Sequence, residues 1–390
     1  MAAGQTASSK ITADLVIVGG GVMGLWAAYH AEKAGIETLL VDAGMPGQGA
    51  SNGLVGVLMA YMPDLWDEKK RFQFDALLRL EGDLARLSAE TGVETSYRRS
   101  GRIMPINSER QRNTALARQQ EARINWKAGD RQFRFDVLED TPVVGWPAAR
   151  TDRFGYIFDD LAAHVFPRDV VAALLAFLAG ARHVRIMPGI RVSAIDAAGH
   201  AIRLNDGGTI GFGSVIIAAG TGAFPLMQPH LAPEGRSLGR GVKGQAALMA
   251  ADLDPALPIL YDEGLYVVAH SGGRVAIGST SEDRFDDPSS TDMQLEALIA
   301  AARLIVPQLA EAPVVERWAG LRPRAIARDP VVGALPGLDH VIALAGGFKT
   351  SFGLAHVLAE YAVLAATGNV SVALPLKFHP QIHHNWAMKK

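Results

Sequence analysis

The 390-residue chain contains no cysteine, which excludes disulfides, thiolate metal sites and a cysteine nucleophile. Neither sign of charge dominates. With 38 Lys+Arg against 40 Asp+Glu, the formal net charge is −2, so the basic excess of an electrostatically driven nucleic-acid binder is missing. Long apolar runs are absent as well. The longest stretch, Leu15 to Tyr29, is broken by Gly19, Gly20, Gly21 and Gly24 and is followed by His30, Glu32 and Lys33, too short and too interrupted to cross a bilayer. The first dozen residues are small and polar with one Lys and no apolar core, unlike a signal peptide; a cytoplasmic location is expected. No GxSxG, HExxH or GxxxxGK[ST] motif occurs.

What is present is a chain that is 49% hydrophobic, with 41 glycines gathered in short bursts beside apolar runs. That placement suits backbone lying close to a ligand. At about 150 residues per domain, the length allows two to three domains.

Asp14–Val18 reads as a short buried strand, Val22–Ala34 as a helix and Glu37–Val41 as a second strand ending at Asp42. This is a βαβ unit and implies a parallel sheet. Helical spacing recurs over Phe72–Thr91, Arg110–Asn125, Arg168–Ala181, Met293–Ile305 and about Leu354–Ala366. Strands are expected at Val184–Ile186, Ser214–Ala218, within Gly241–Thr280 and at Val341–Ala345.

Gly19, Gly21 and Gly24 form GxGxxG between the first strand and the first helix, with Asp42 at the end of the next strand. In this context the motif marks a dinucleotide site. The first glycine makes the tight turn, the second admits a pyrophosphate to the helix N-terminus, and the third lets helix and strand pack closely. Asp42 is expected to accept from ribose hydroxyls.

Three further segments decide between FAD and NAD. Gly47 to Gly56 is a second small-residue loop suited to lie against a flat ring; Ser214 to Gly222 is a strand ending in small residues; Val341 to Gly353 runs through a glycine pair into another helix N-terminus. Loops dispersed over the whole chain fit FAD better than NAD. A helix N-terminus at the pyrimidine end of a flavin would favour negative charge there.

These segments resemble the D-amino-acid oxidase superfamily of flavoproteins, and within it the glycine oxidase and monomeric sarcosine oxidase branch. The matching pieces are DLVIVGGGVMG (14–24), GASNGLVG (49–56), AHVFPRDVVAAL (163–174), SVIIAAGTGA (214–223), VKGQ (242–245), LYVVAHSGGRVAIGST (265–280), WAGLRPRA (318–325) and AGGFKTSFGLAH (345–356). The resemblance implies an α/β fold: a Rossmann-like FAD-binding domain with an inserted, mostly antiparallel β substrate domain. We expect the FAD-binding domain to comprise residues 11–92, 163–232 and 315–378, and the substrate domain 93–162 and 233–314. Residues 1–10 and 379–390 are expected to be tails, with His379, His383 and His384 in a solvated C-terminus.

The resemblance also implies cofactor contacts from Gly19, Gly21, Val22, Met23, Gly24, Asp42 and Ala43. A second set is Ala50, Ser51, Asn52, Gly53 and Leu54; a third is Val192, Ala219, Gly220 and Thr221; a fourth is Gly347, Phe348, Lys349 and Thr350. Without cysteine the FAD would be non-covalent. The implied reaction oxidises a C–N bond beside a carboxylate, by hydride transfer from the α-carbon to the flavin, with O₂ taking the electrons as peroxide. The substrate is expected to be a small amino acid or an N-substituted glycine. Arg322, in AGLRP, sits where the branch places its carboxylate-binding arginine, with Arg324 as the neighbouring rival; Tyr266 matches a tyrosine that adds a hydroxyl to the same carboxylate. Lys349 stands where glycine oxidase-like sequences carry arginine, and the GFK spelling resembles sarcosine oxidase instead. Met59, Tyr61 and Met62 follow the second loop and either line the pocket or belong to the core. Use of the fold as a dehydrogenase, as the flavin subunit of an opine-type complex or for a hydroxy acid stays open, as does a homo-oligomer or a partner subunit.

Overall fold

A computed structural model of the chain describes residues 11–148 and 153–389; the expected N-terminal tail, residues 1–10, lies outside the described residues. Strand β1 (Ile11–Val18), helix α1 (Val22–Lys33) and strand β2 (Thr38–Val41) form the βαβ unit. Along β1, Leu15 and Ile17 enter one apolar cluster while Val16 and Val18 enter another. A strand covered on both faces must be apolar at successive positions, which is why DLVIV is a continuous run. β1 pairs in parallel with β2 and with Thr209–Ile217; Val184–Met187 continues the sheet beyond β2, and Leu338–Ala345 continues it beyond Thr209–Ile217. An antiparallel meander, Val192–Asp196 and Ala201–Leu204, occupies the first half of Thr209–Ile217 and completes, with Val331–Leu335, an eight-stranded sheet.

Helices cover both faces. On one lie α1, α2 (Glu68–Thr91), Pro167–Ala179 and Ser351–Ala366. α2 starts four residues before the apolar spacing predicts, because Asp67 caps it by accepting from the Lys70 backbone N–H, and it stops at Gly92, whose φ of 71° suits glycine. The other face carries Ala223–Leu231 and Pro380–Lys389.

The second eight-stranded sheet runs in the order Val314–Ala325, Gly239–Ala250, Arg274–Gly278, Leu265–His270, Ile259–Asp262, Arg102–Pro105, Tyr156–Asp159, Phe135–Leu138. It is antiparallel except where Ile259–Asp262 meets Arg102–Pro105. Helix Met293–Ile305 buries Leu295, Ile299 and Ala302 against it.

Two expectations need correction. The boundary at 315 assigns Val314–Ala325 to the cofactor-binding half, yet this strand pairs along nearly all its length with Gly239–Ala250 in the second sheet. Its own residues do not reveal which sheet it joins, since pairing is decided by the partner strand. The segment from 379 is likewise no free tail. Pro380–Lys389 is a helix whose Pro380, His383 and Ala387 form one buried face, with His383 Nε2 3.2 Å from the Pro330 carbonyl oxygen.

Candidate functional site

One cavity of about 570 Å³ opens at the carboxyl ends of β1 and Thr209–Ile217 and continues between the two sheets. This is where an open α/β sheet binds ligands. At one end stand Asp42, Arg191 and Val192; at the other stand Tyr266, Trp318, Arg322 and Lys349.

The glycine motif is built as its spacing requires. Gly19 has φ 108°, and a Cβ on it would lie 2.5 Å from the Ala218 carbonyl oxygen. A Cβ on Gly24 would lie 1.8 Å from the Gly19 carbonyl oxygen, so α1 touches the turn it follows. Asp42 locks the turn, accepting from Gly20 N–H at 2.6 Å and from Gly44 N–H at 2.8 Å while its side chain borders the cavity. Gly21 caps α1 without a side chain, and the hydroxyl of Ser51 supplies the missing acceptor by taking the Val22 N–H at 2.9 Å. The two small-residue loops are thereby joined.

Of the residues expected to touch the cofactor, all but Gly24, Asn52, Gly347 and Thr350 border the cavity. Gly24 lies beneath the turn. Asn52 is turned toward Gln48, and its carbonyl accepts from Arg168 at 3.1 Å. Gly347 and Thr350 close the turn ahead of the last helix, with the Gly347 carbonyl accepting both the N–H and the hydroxyl of Thr350. That helix begins at Ser351, three residues before the spacing predicts. Met59 borders the cavity, whereas Tyr61 and Met62 do not.

The residues fit FAD. A helix N-terminus stripped of side chains faces the cavity beside an acceptor carboxylate; Gly49 and Gly220 border it, and a Cβ on either would meet no protein atom within 4 Å. A dinucleotide can lie in such a cradle without colliding with side chains.

At the far end, Trp318, Arg322 and Pro323 of Val314–Ala325 border the cavity. Trp318 lies over Gly320 and against Gly53 of the second loop, and Arg322 follows two residues further on. The Arg322 guanidinium is half-buried and donates from Nη1 to the Thr280 carbonyl oxygen at 3.0 Å. No carboxylate pairs with it among the described residues. Burial lowers its pKa from the ordinary value, opposed by Tyr266 and Glu282. Arg324, the rival, is already engaged by Asp283 at 2.6 Å.

Behind Arg322 lies a buried polar latch. Gln245 donates its backbone N–H to the Thr280 hydroxyl at 2.9 Å and its side-chain N–H to Glu282 at 2.9 Å, and Thr280 donates to Glu282. Lys243 stands 3.8 Å from both Glu282 and Asp292. This network sets the carbonyl that holds the guanidinium. VKGQ thus has a structural partner that sequence spacing does not reveal, since residues 280–282 arrive from another strand end.

Tyr266, opposite Gly278 in the register, borders the same cavity end; burial pushes its phenol up to about 12, so it is a hydroxyl donor at neutral pH. Lys349 comes from the turn Phe348–Thr350, tied to the second sheet by an antiparallel bridge between Arg324 and Gly347. Its pKa is lowered, first by burial and then by the charges of Arg322 and Arg324. Trp318 and Arg191 were not anticipated. The period-two spacing of Trp318, Gly320 and Arg322 carries a signal for the first, and nothing local marks the second.

A glycine oxidase of Bacillus licheniformis is 26% identical over 363 residues, covering 91% of this chain and 93% of that protein. A glycine oxidase of Pseudomonas putida is 26% identical over 386 residues, covering 94% and 98%. The crystal structure of glycine oxidase from Geobacillus kaustophilus superimposes with a TM-score of 0.80 at 22% identity, over 94% of this chain and 97% of that one, a likeness of fold. Residues 14–361 match the DAO family of FAD-dependent oxidoreductases, and the chain, with its glycine turn, its second loop and its cavity between two sheets, belongs to that family.

Proposed function

We propose that the chain is an amino-acid or amine oxidase of the glycine oxidase type, acting on a small amino acid or N-substituted glycine. The observation that carries this reading is Arg322, a half-buried guanidinium in the cavity wall held by one carbonyl and paired with no acid among the described residues. A guanidinium in that state is a ready partner for a substrate carboxylate.

Held by the glycine turn, Asp42 and the second loop, FAD would supply a two-electron oxidant for the α C–H bond, with O₂ as the electron acceptor giving hydrogen peroxide. The chain's own residues do the positioning. Arg322 and the Tyr266 hydroxyl would clamp the carboxylate and Trp318 would wall the pocket, so that the substrate is held in one orientation. Among the described residues, no His, Asp or Glu borders the Arg322 end of the cavity, so the amine arrives neutral, its proton left to solvent. Loss of the α-hydrogen with its electron pair to that oxidant would leave a C=N bond formed from the nitrogen lone pair, and water would hydrolyse the iminium.

The test is anaerobic absorbance of the flavin bands on mixing with glycine, sarcosine, D-alanine and D-proline in turn, followed by air and a peroxide assay. Bleaching followed by one peroxide per turnover is expected. Failure of every amine to bleach the bands would overturn the reading; bleaching without peroxide would make the protein a dehydrogenase.

A further inference from the structure

Helix Met293–Ile305 covers the second sheet with Leu295, Ile299, Ala302 and Ile305, and a helix so placed ordinarily turns polar residues outward. This one does not. Of its 13 residues only Gln294, Glu296 and Arg303 are polar, and the outermost line is apolar throughout: Met293, Ala297, Ala300 and Leu304 are all exposed, Met293 by 76% and Leu304 by 81%. One exposed apolar side chain needs no explanation, but four in line along one helix form a continuous stripe. Steps of four, three and four residues are the seam spacing of paired helices.

The order of the four residues points to the partner. Read from either end the spacing is the same, with a large side chain at each end and alanine at both inner positions. A two-fold axis at the middle of the stripe sets two copies antiparallel, laying Met293 on the partner's Leu304 and Ala297 on the partner's Ala300, and the alanines let the backbones approach. The charged flank agrees with this. Glu296 and Arg303 lie along the same side of the stripe, and the two-fold brings that side of each copy together, so Glu296 meets the partner's Arg303 and Arg303 the partner's Glu296. Both have capacity left: Glu296 is held by Arg317 at 2.7 Å with 40% of its side chain exposed, and Arg303 donates to the Ala312 carbonyl at 3.0 Å and has no acidic partner among the described residues. Helices that lie on a membrane surface carry a fringe of Lys and Arg, whereas this stripe is flanked by one acid, one base, Gln294 and Ala301. We propose that the protein forms a two-fold dimer through this helix, two copies packing antiparallel along Met293, Ala297, Ala300 and Leu304. The seam starts one residue after Asp292, whose backbone N–H donates to Gln245 Oε1 at 2.8 Å, so pairing braces the helix end that anchors the network behind Arg322.

Light scattering on the size-separated, FAD-loaded full chain is expected to give the mass of two chains or an even multiple. Leu304→Glu should halve it, while the flavin bands and far-ultraviolet dichroism stay unchanged. The absence of cysteine permits a second measurement that needs no dissociation. Met293→Cys alone, or Leu304→Cys alone, sets the two thiols of a dimer about 16 Å apart along the paired helices, too far for a disulfide. The two changes combined in one chain should give disulfide-linked dimers on air oxidation, since each thiol then faces the other kind across the seam. A single-chain mass for the unaltered protein would overturn the proposal, and so would an oligomer that Leu304→Glu leaves intact. Cross-linking by Met293→Cys alone would mean parallel helices and sink the antiparallel seam. A monomer that floats with phosphatidylglycerol vesicles would give the stripe to a membrane instead.

Discussion

The guanidinium of Arg322 lies directly over Gly244: a Cβ built on Gly244 would fall 1.9 Å from Nη1 and 2.1 Å from Cζ. The two residues are diagonal neighbours across paired strands, Val242 standing opposite Arg322 and Gly244 opposite Gly320. Gly244 thus acts as a positioning residue, its missing side chain being the space the clamp occupies. Gly244→Ala should push the guanidinium off the Thr280 carbonyl and raise KM for carboxylate-bearing amines about tenfold, with the flavin spectrum unchanged. Steady-state kinetics would check this. If the effect acts through Arg322, adding Gly244→Ala to Arg322→Leu should cost nothing further.

Arg322→Leu removes the clamp itself. A charge-assisted hydrogen bond is worth about 1.5 to 3 kcal/mol, so KM should rise roughly ten- to a hundredfold while FAD content stays normal. An unchanged KM would transfer the carboxylate to Lys349.

The pH dependence of ligand binding follows from Lys349. Its pKa is lowered by burial and by the neighbouring Arg322 and Arg324, so its charge is lost at a pH below the ordinary lysine value of 10.5. Since the charged form attracts a carboxylate, affinity for a small unreactive carboxylate ligand should fall as pH rises through that lowered pKa. Tyr266, pushed up to about 12, stays protonated throughout. The alkaline fall should vanish in Lys349→Met, and a fall that persists in this variant would assign it to another group.

Gly24→Ala places a methyl within 1.8 Å of the Gly19 carbonyl oxygen and should open the turn, giving protein with little bound FAD. Gly82→Ala is the contrast. Gly82 lies within α2 with no heavy atom within 4 Å of an added Cβ, and the change should raise stability by roughly 0.5 to 1 kcal/mol. Flavin content per chain and thermal unfolding distinguish the two. Because the chain has no cysteine to form a thioether, acid precipitation of the unaltered protein should release its FAD into the supernatant.

The features legible in the chain alone are those written in neighbouring residues. DLVIV, the glycines at 19, 21 and 24 and the acid at 42 specify a strand, a turn, a helix and a second strand, because each depends on local sterics and apolar periodicity. Helix Met293–Ile305 was legible for the same reason, its buried Leu295, Ile299 and Ala302 recurring at helical spacing. Arg322, Tyr266 and Lys349 were legible as candidates through a family resemblance, but their convergence on one cavity was not. Tertiary contacts are what pair Arg324 with an acid and leave Arg322, among the described residues, with a carbonyl alone, because Asp283, the partner of Arg324, lies 41 positions away in the chain. They also decide that Val314–Ala325 belongs to the second sheet and that the C-terminal helix docks through His383. Strand pairing and charge pairing sum over partners far apart in sequence, and no local window contains both members of such a pair.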